Sequence, residues 1–235
     1  MASRARYLAP NALSAANIAC GFGAMVAAAE GRFDASVYML LVSIFLDTFD
    51  GPVARRLGAT SRFGVEMDSF SDAVSFGAAP AFLLFYVFLR PLGGWGLAVS
   101  LVYLLAAILR LARFNLTTNV HVKGSRTLGV PTPIAASYIM AAVLMRRDLE
   151  PPVMVVVALV FAALMVSRVR LPSLKGRTPI TVMLLIGISN YMLVIFLPSW
   201  YAIAWWNIWN VFILWTAHLH DRRDTVTGEV PSSPS

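Results

Sequence analysis

Charge is scarce in this chain. Asp, Glu, Lys and Arg together make up 13% of its 235 residues, about half of the roughly 25% usual in soluble domains. With 58% hydrophobic residues and a mean hydropathy of +0.71, that deficit excludes a water-soluble globule and leaves a polytopic membrane protein. Cysteine is scarcer still: Cys20 is the only one and lies inside the first apolar run. No disulfide within one chain and no cysteine-based metal site can therefore form. Of the three histidines, His121 reads as a loop residue, and His218 and His220 as markers of the interface at the end of the last span. There is no repeat of fixed period. The net charge of +7 could suggest a nucleic-acid partner, but the basic residues fall in short loops between apolar spans, where they encode topology instead.

What the chain has in abundance is long apolar runs. They predict an all-α fold of about eight transmembrane helices, at residues 12–29, 35–56, 63–89, 95–114, 129–145, 151–167, 179–197 and 200–218. Residues 1–11 read as an N-terminal interfacial segment, 12–219 as the transmembrane domain and 220–235 as a polar, disordered tail. Arg4, Arg6 and Ala27–Ala29 imitate a signal peptide, but the run continues after a short loop into a second span and reads as a retained helix. Asp34 is placed to cap the second span, and Gly58–Ser61 to form a turn before the third. Pro131 and Pro133 interrupt the start of the fifth.

The basic residues divide unequally between the two sides. With a cytoplasmic N-terminus, fifteen fall on the cytoplasmic side, among them Arg55, Arg56, Arg62, Arg110, Arg113, Lys123, Arg126, Lys175 and Arg177. Four fall on the far side: Arg32, Arg90, Arg146 and Arg147. That bias sets the orientation, and the W-Y-A-I-A-W-W-N-I-W stretch from Trp200 fits an aromatic belt on the far side.

Against this apolar background stands D-T-F-D-G-P-V-A-R, then eight residues, then G-V-E-M-D-S-F-S-D. A carboxylate inside a span costs roughly 2.5–3.5 kcal/mol on insertion scales, so four of them (Asp47, Asp50, Asp68, Asp72) require compensation. Asp47 and Asp50 are three apart, and Asp68 and Asp72 four apart; on helices both spacings share a face. Gly51, Ala54 and Gly64 lie a turn from these acids and leave room for a bulky ligand. Four close carboxylates repel one another, and divalent cations relieve that; an all-oxygen donor set favours Mg²⁺, Mn²⁺ or Ca²⁺ over zinc. Arg55 and Arg56 are placed for phosphate. Simple anchoring of helix ends by acid–arginine pairs accounts for one or two acids, not for four at this spacing. A channel or transporter would spread its acids along several spans near mid-bilayer, whereas these cluster at one edge of two consecutive helices.

The pattern D-x2-D-G-x2-A-R-x8-G-x3-D-x3-D closely resembles the signature of the CDP-alcohol phosphotransferase family, at every fixed position. The resemblance implies a six-helix catalytic core that forms a homodimer, binds two divalent cations (Mg²⁺ or Mn²⁺) and transfers a phosphoryl-linked group from a CDP-activated donor to an alcohol, releasing CMP. It makes Asp47, Asp50, Asp68 and Asp72 the metal-binding acids and Asp72 also the general base. It places Asp47, Asp50, Gly51, Ala54, Arg55, Gly64 and Asp68 around the cytidine diphosphate, on the cytoplasmic side of a prokaryotic inner membrane.

D-S-F-S-D-A-V-S-F-G-A-A-P-A (68–81), R-L-A-R-F-N (110–115) and G-V-P-T-P-I-A-A (129–136) resemble the version found in phosphatidylserine synthases of that family. The substrates so implied are CDP-diacylglycerol and L-serine. Serine brings a carboxylate that a guanidinium could grip in bidentate fashion. Arg110 and Arg113, with Asn115 and Ser69, are the candidates, although both arginines equally suit a topology-setting helix end. Glycerol phosphate or inositol phosphate as acceptor would instead use Lys123, Arg126, Lys175 and Arg177.

Overall fold

A computed structural model describes residues 2–59, 61–119, 127–167 and 170–171. The seventh and eighth expected spans, the tail, the aromatic stretch from Trp200, the three histidines, and Lys123, Arg126, Lys175 and Arg177 lie outside the described residues.

Helix α1 covers Ala2–Ala29 and runs through Pro10, so no break separates the expected interfacial segment from the first span. A turn at Gly31, with φ +75°, leads to α2, Phe33–Arg56. Its N-cap is Arg32 rather than the expected Asp34. Asp34 lies in the first turn and accepts from Arg146 at 2.7 and 3.4 Å, so its carboxylate ties α2 to a distant loop instead of capping its own helix.

The third span, Arg62–Leu92, is not one regular helix. It comprises α3 (Arg62–Asp72), a π-helical turn (Ala73–Ala78), α4 (Ala79–Leu83), a second π-helical turn (Leu84–Leu89) and a 3₁₀ turn (Arg90–Leu92). Each π turn closes at the residue before a proline: Ala79 N–H donates to the Val74 carbonyl ahead of Pro80, and Arg90 N–H to the Phe85 carbonyl ahead of Pro91. A proline ring crowds the carbonyl four residues back and offers no N–H to it. Widening the preceding turn relieves that crowding without ending the helix.

Helix α5 is Gly94–Asn119, α6 Thr132–Leu144 and α7 Pro151–Val166. Pro131 and Pro133 do not disrupt α6: one is its N-cap and the other lies in its first turn, where the missing N–H has no partner to lose. Among the described residues four segments are long and apolar enough to cross a membrane, while α6 and α7 are shorter apolar helices. These helices belong to one compact unit, Met1–His121 with Gly129–Ser167. The described part of a second unit is an antiparallel pair, β1 (Thr127–Leu128) and β2 (Arg170–Leu171).

In the first unit α1 packs along α2 and α3, and α5 along α7. Ala24, Ala28, Val37, Leu40, Phe76, Leu83, Ile139 and Met140 form a fully buried core. Phe22, Phe45, Leu105, Leu109 and Val156 face outwards, which suits hydrocarbon rather than water. Arg32, Arg90 and Arg146 gather near one end. Arg146 lies over Phe33 at 5.3 Å and Arg90 over Tyr86 at 5.2 Å, and Tyr86 Oη donates to the Ala29 carbonyl. The four aspartates stand at the opposite end.

Candidate active site

The α2–α3 connection is built to hold two helix ends close. Leu57 is the C-cap of α2, and Gly58 adopts φ +57°, a conformation that disfavours any residue with a Cβ. Gly58 N–H donates to the Arg55 carbonyl and Ala59 N–H to the Ala54 carbonyl, at 3.3 and 2.9 Å, the paired bonds of a Schellman turn. Ser61, in an extended conformation, caps α3 by accepting from Gly64 N–H at 3.0 Å. The last turns of α2 and the first turns of α3 therefore face one another.

Between them the acids converge. Asp47, Asp50 and Asp68 each offer a carboxylate oxygen, and these oxygens lie within 4.8 Å of one another. Asp72 stands one turn further along α3, where its charge and that of Asp47 act on each other, as do those of Asp50 and Asp68. Ionised carboxylates only accept, so such pairs need a proton or a cation between them. Among the described residues no ion pair is formed by any of the four. Asp50 is 7% exposed and accepts from Ser14 Oγ at 3.3 Å, and Asp72 Oδ1 is buried without a hydrogen-bond partner. An oxygen-only, acid-rich cluster with an unpartnered buried oxygen fits hard divalent cations.

Beside the acids lies a cleft of about 210 Å³, lined by the expected Gly51, Ala54, Arg55 and Gly64 together with Asp50 and Asp68. The glycines keep it open. A Cβ on Gly51 would press on the Arg55 guanidinium at 3.3 Å, and one on Gly64 on Ser61 Oγ at 3.2 Å. Ala59, Ser61 and Val65 add to this lining, and α1 supplies a further wall through Pro10, Asn11 and Ser14, which sequence reasoning missed. The signal was present: Asn11, Ser14 and Asn17 recur every third residue in an otherwise apolar run.

The expected acceptor residues separate into three groups. Arg110 is 8% exposed, and its charge acts on Asp72. It donates through Nη1 to Thr132 Oγ1 at 3.1 Å and lies 5.5 Å over Phe114, and its Nε is buried without a partner. Thr132, from the G-V-P-T-P stretch, thus joins the site as a residue not singled out from the sequence. Ser69 and Asn115 bond each other, with Asn115 Nδ2 donating to Ser69 Oγ at 2.9 Å. Arg113 is carried elsewhere: it donates to the carbonyls of Val166 and Ser167 at 3.1 and 2.8 Å, where it satisfies the end of α7.

Comparison with known proteins agrees with this geometry. The model of the CDP-alcohol phosphatidyltransferase family matches residues 7–169. A CDP-diacylglycerol–serine O-phosphatidyltransferase of Helicobacter pylori is 33% identical over 175 residues, covering 72% of this chain and 73% of the relative. One from Bacillus subtilis is 32% identical over 166 residues, 71% of this chain and 90% of the relative. An archaetidylserine synthase of Methanothermobacter thermautotrophicus is 33% identical over 171 residues, 71% of this chain and 70% of the relative. All of the converging acids and the cleft around them fall within the matched region, and the chain belongs to the CDP-alcohol phosphatidyltransferase family.

Proposed function

We propose that this chain transfers the phosphatidyl group of CDP-diacylglycerol to the hydroxyl of L-serine, forming phosphatidylserine and releasing CMP. The observation that carries the reading is the convergence of Asp47, Asp50 and Asp68 from two facing helices. Relatives named for transfer to serine favour that acceptor over glycerol phosphate or inositol phosphate.

Asp47, Asp50, Asp68 and Asp72 would hold two divalent cations, Mg²⁺ or Mn²⁺. Bound there, such ions neutralise a diphosphate and stabilise the departing CMP. Gly51, Ala54 and Gly64 leave space for the cytidine diphosphate, and Arg55, exposed at the cleft, offsets phosphate charge. Asp72 takes the proton of the serine hydroxyl. The serine oxygen then bonds to the phosphorus that bears diacylglycerol, and the phosphoanhydride bond breaks with its electron pair leaving on CMP. Arg110, held by Thr132 with Nε uncommitted, is placed to receive the serine carboxylate, and Ser69 with Asn115 forms a neighbouring polar edge. The reading also places the site on the cytoplasmic side of a prokaryotic inner membrane, in a homodimer whose transmembrane domain spans residues 12–219.

The test is an assay of purified protein with CDP-diacylglycerol and Mn²⁺ or Mg²⁺, supplying serine, glycerol 3-phosphate or inositol phosphate in parallel. Serine-dependent CMP release is expected. CMP release with another acceptor and none with serine would overturn the serine assignment and leave the family membership intact.

A further inference from the structure

We infer that Asn17 is the positioning residue that fixes the spacing of the two carboxylate-bearing helices, and through it the affinity of the acid cluster for cations. The inference rests on the metal reading of the site given above. Helix α1 packs along both α2 and α3, whereas direct contact between α2 and α3 is slight. The separation of the two acid-bearing faces therefore depends on α1, which packs against both, as well as on the short connection between them.

Asn17 is fully buried on α1, and both ends of its amide are used. Oδ1 accepts from Ser43 Oγ of α2, and Nδ2 donates to Ser71 Oγ of α3 at 3.2 Å. Ser43 stands one turn before Asp47. Ser71 lies between Asp68 and Asp72, and its hydroxyl donates a hydrogen bond to the Asp68 backbone carbonyl at 2.8 Å. The backbone carbonyl of Asn17 accepts from Ser75 Oγ at 2.9 Å and from Ser43 Oγ at 3.4 Å. One turn on, a Cβ at Gly21 would meet Ser75 Oγ at 2.5 Å, so bare backbone there lets the third span seat against α1.

A carboxamide is the side chain of this size that can accept from one helix and donate to the other at once. An aspartate in its place could only accept, and a leucine could do neither. Asn17 is absent from the cleft wall, so its effect passes through the helices it joins. Simple adhesion between helices would predict lower stability only; positioning predicts weaker metal binding in protein that remains folded.

The experiment uses the full chain in detergent and titrates Mn²⁺, following free Mn²⁺ by its EPR signal alongside the Mn²⁺ dependence of CMP release. Asn17→Leu is expected to weaken Mn²⁺ binding by about 10- to 100-fold, as loss of groups that orient metal ligands does. The KM for serine should stay within about twofold, since Asn17 bonds Ser43, Ser71 and Ser75 and not Arg110. Adding Ser71→Ala to Asn17→Leu should weaken binding no further, because both remove one bridge. Asp68→Ala serves as the control. If Asp68→Ala binds Mn²⁺ like the parent, the metal reading itself fails. If Asp68→Ala loses the ion while folded Asn17→Leu retains it, the metal reading stands and the Asn17 inference is overturned. Should Asn17→Leu not give monodisperse protein, Ser43→Ala and Ser71→Ala each remove one arm of the bridge; weaker Mn²⁺ binding in both supports the inference, and unchanged binding in both overturns it.

Discussion

One oxygen concentrates the chemistry proposed here: Asp72 Oδ1, buried and without a hydrogen-bond partner, beside an arginine whose Nε is equally uncommitted. If Asp72 removes the acceptor proton, Asp72→Asn keeps shape and loses the base. Turnover should fall by about 10²–10⁴-fold, the usual worth of a positioned general base, while binding of CDP-diacylglycerol, measured by equilibrium dialysis, stays largely intact. Near-normal turnover would rule out the base role. At Arg110 the substitution to Lys keeps charge but loses the planar fork and the bond to Thr132. A charged hydrogen bond is worth about 1.5–3 kcal/mol, so the KM for serine should rise by roughly 10- to 100-fold with the KM for CDP-diacylglycerol unchanged; an unchanged serine KM would remove Arg110 from the acceptor site. The acids were legible from the sequence because a charge in an apolar run is conspicuous and two of them at helical spacing specify a face. Asn11, Ser14 and Asn17 of α1 were not read, since uncharged polar residues in a span are ordinary. Thr132 could not be read either, because only folding brings α6 against Arg110.

Among the elements, helix existence followed directly from the apolar runs, and α1, α2, α5, α6 and α7 each overlap an expected span. The interior of the third span did not. Its two π-helical turns depend on how Pro80 and Pro91 are accommodated, and proline in an apolar run is equally consistent with a kink or a break. The first of these turns begins immediately after Asp72 and carries Ser75 towards Asn17, so the irregularity adjoins the site. Asp34 shows a different failure. A local capping rule was outweighed by a partner 112 residues away, Arg146. That pair is half-exposed on the Asp34 side and surface pairs are worth about 0.2–1 kcal/mol, so Arg146→Ala should lower the melting temperature only slightly and leave turnover unchanged; a marked loss of turnover would contradict a purely fastening role. Gly58 is the more sensitive point. Forcing a Cβ into its left-handed conformation costs about 1–2 kcal/mol, so Gly58→Ala should lower thermal stability clearly more than Gly58→Asn, as followed by circular dichroism in detergent.

For the whole molecule, orientation is an expectation that resides in where arginines are placed rather than in any contact. The structure adds that Arg32, Arg90 and Arg146 lie near one end of the described helices, bound into Glu30, Tyr86, and Asp34 with Phe33. The acids stand at the other, where α2 ends in Arg55 and Arg56. A bilayer core of about 30 Å would separate these ends, and the positive-inside rule predicts that the acid end faces the cytoplasm. In a Cys20→Ser background, Arg56→Cys and Gly94→Cys place one thiol near each end. Both positions are exposed, and nothing lies within 4 Å of a Cβ added at Gly94. A membrane-impermeant maleimide added to intact cells should label the Gly94→Cys chain and spare the Arg56→Cys chain, and inverted vesicles should reverse the pattern. The opposite result would put the four aspartates outside the cell, away from any cytoplasmic supply of CDP-activated lipid, and the proposed reaction could not then proceed in this orientation.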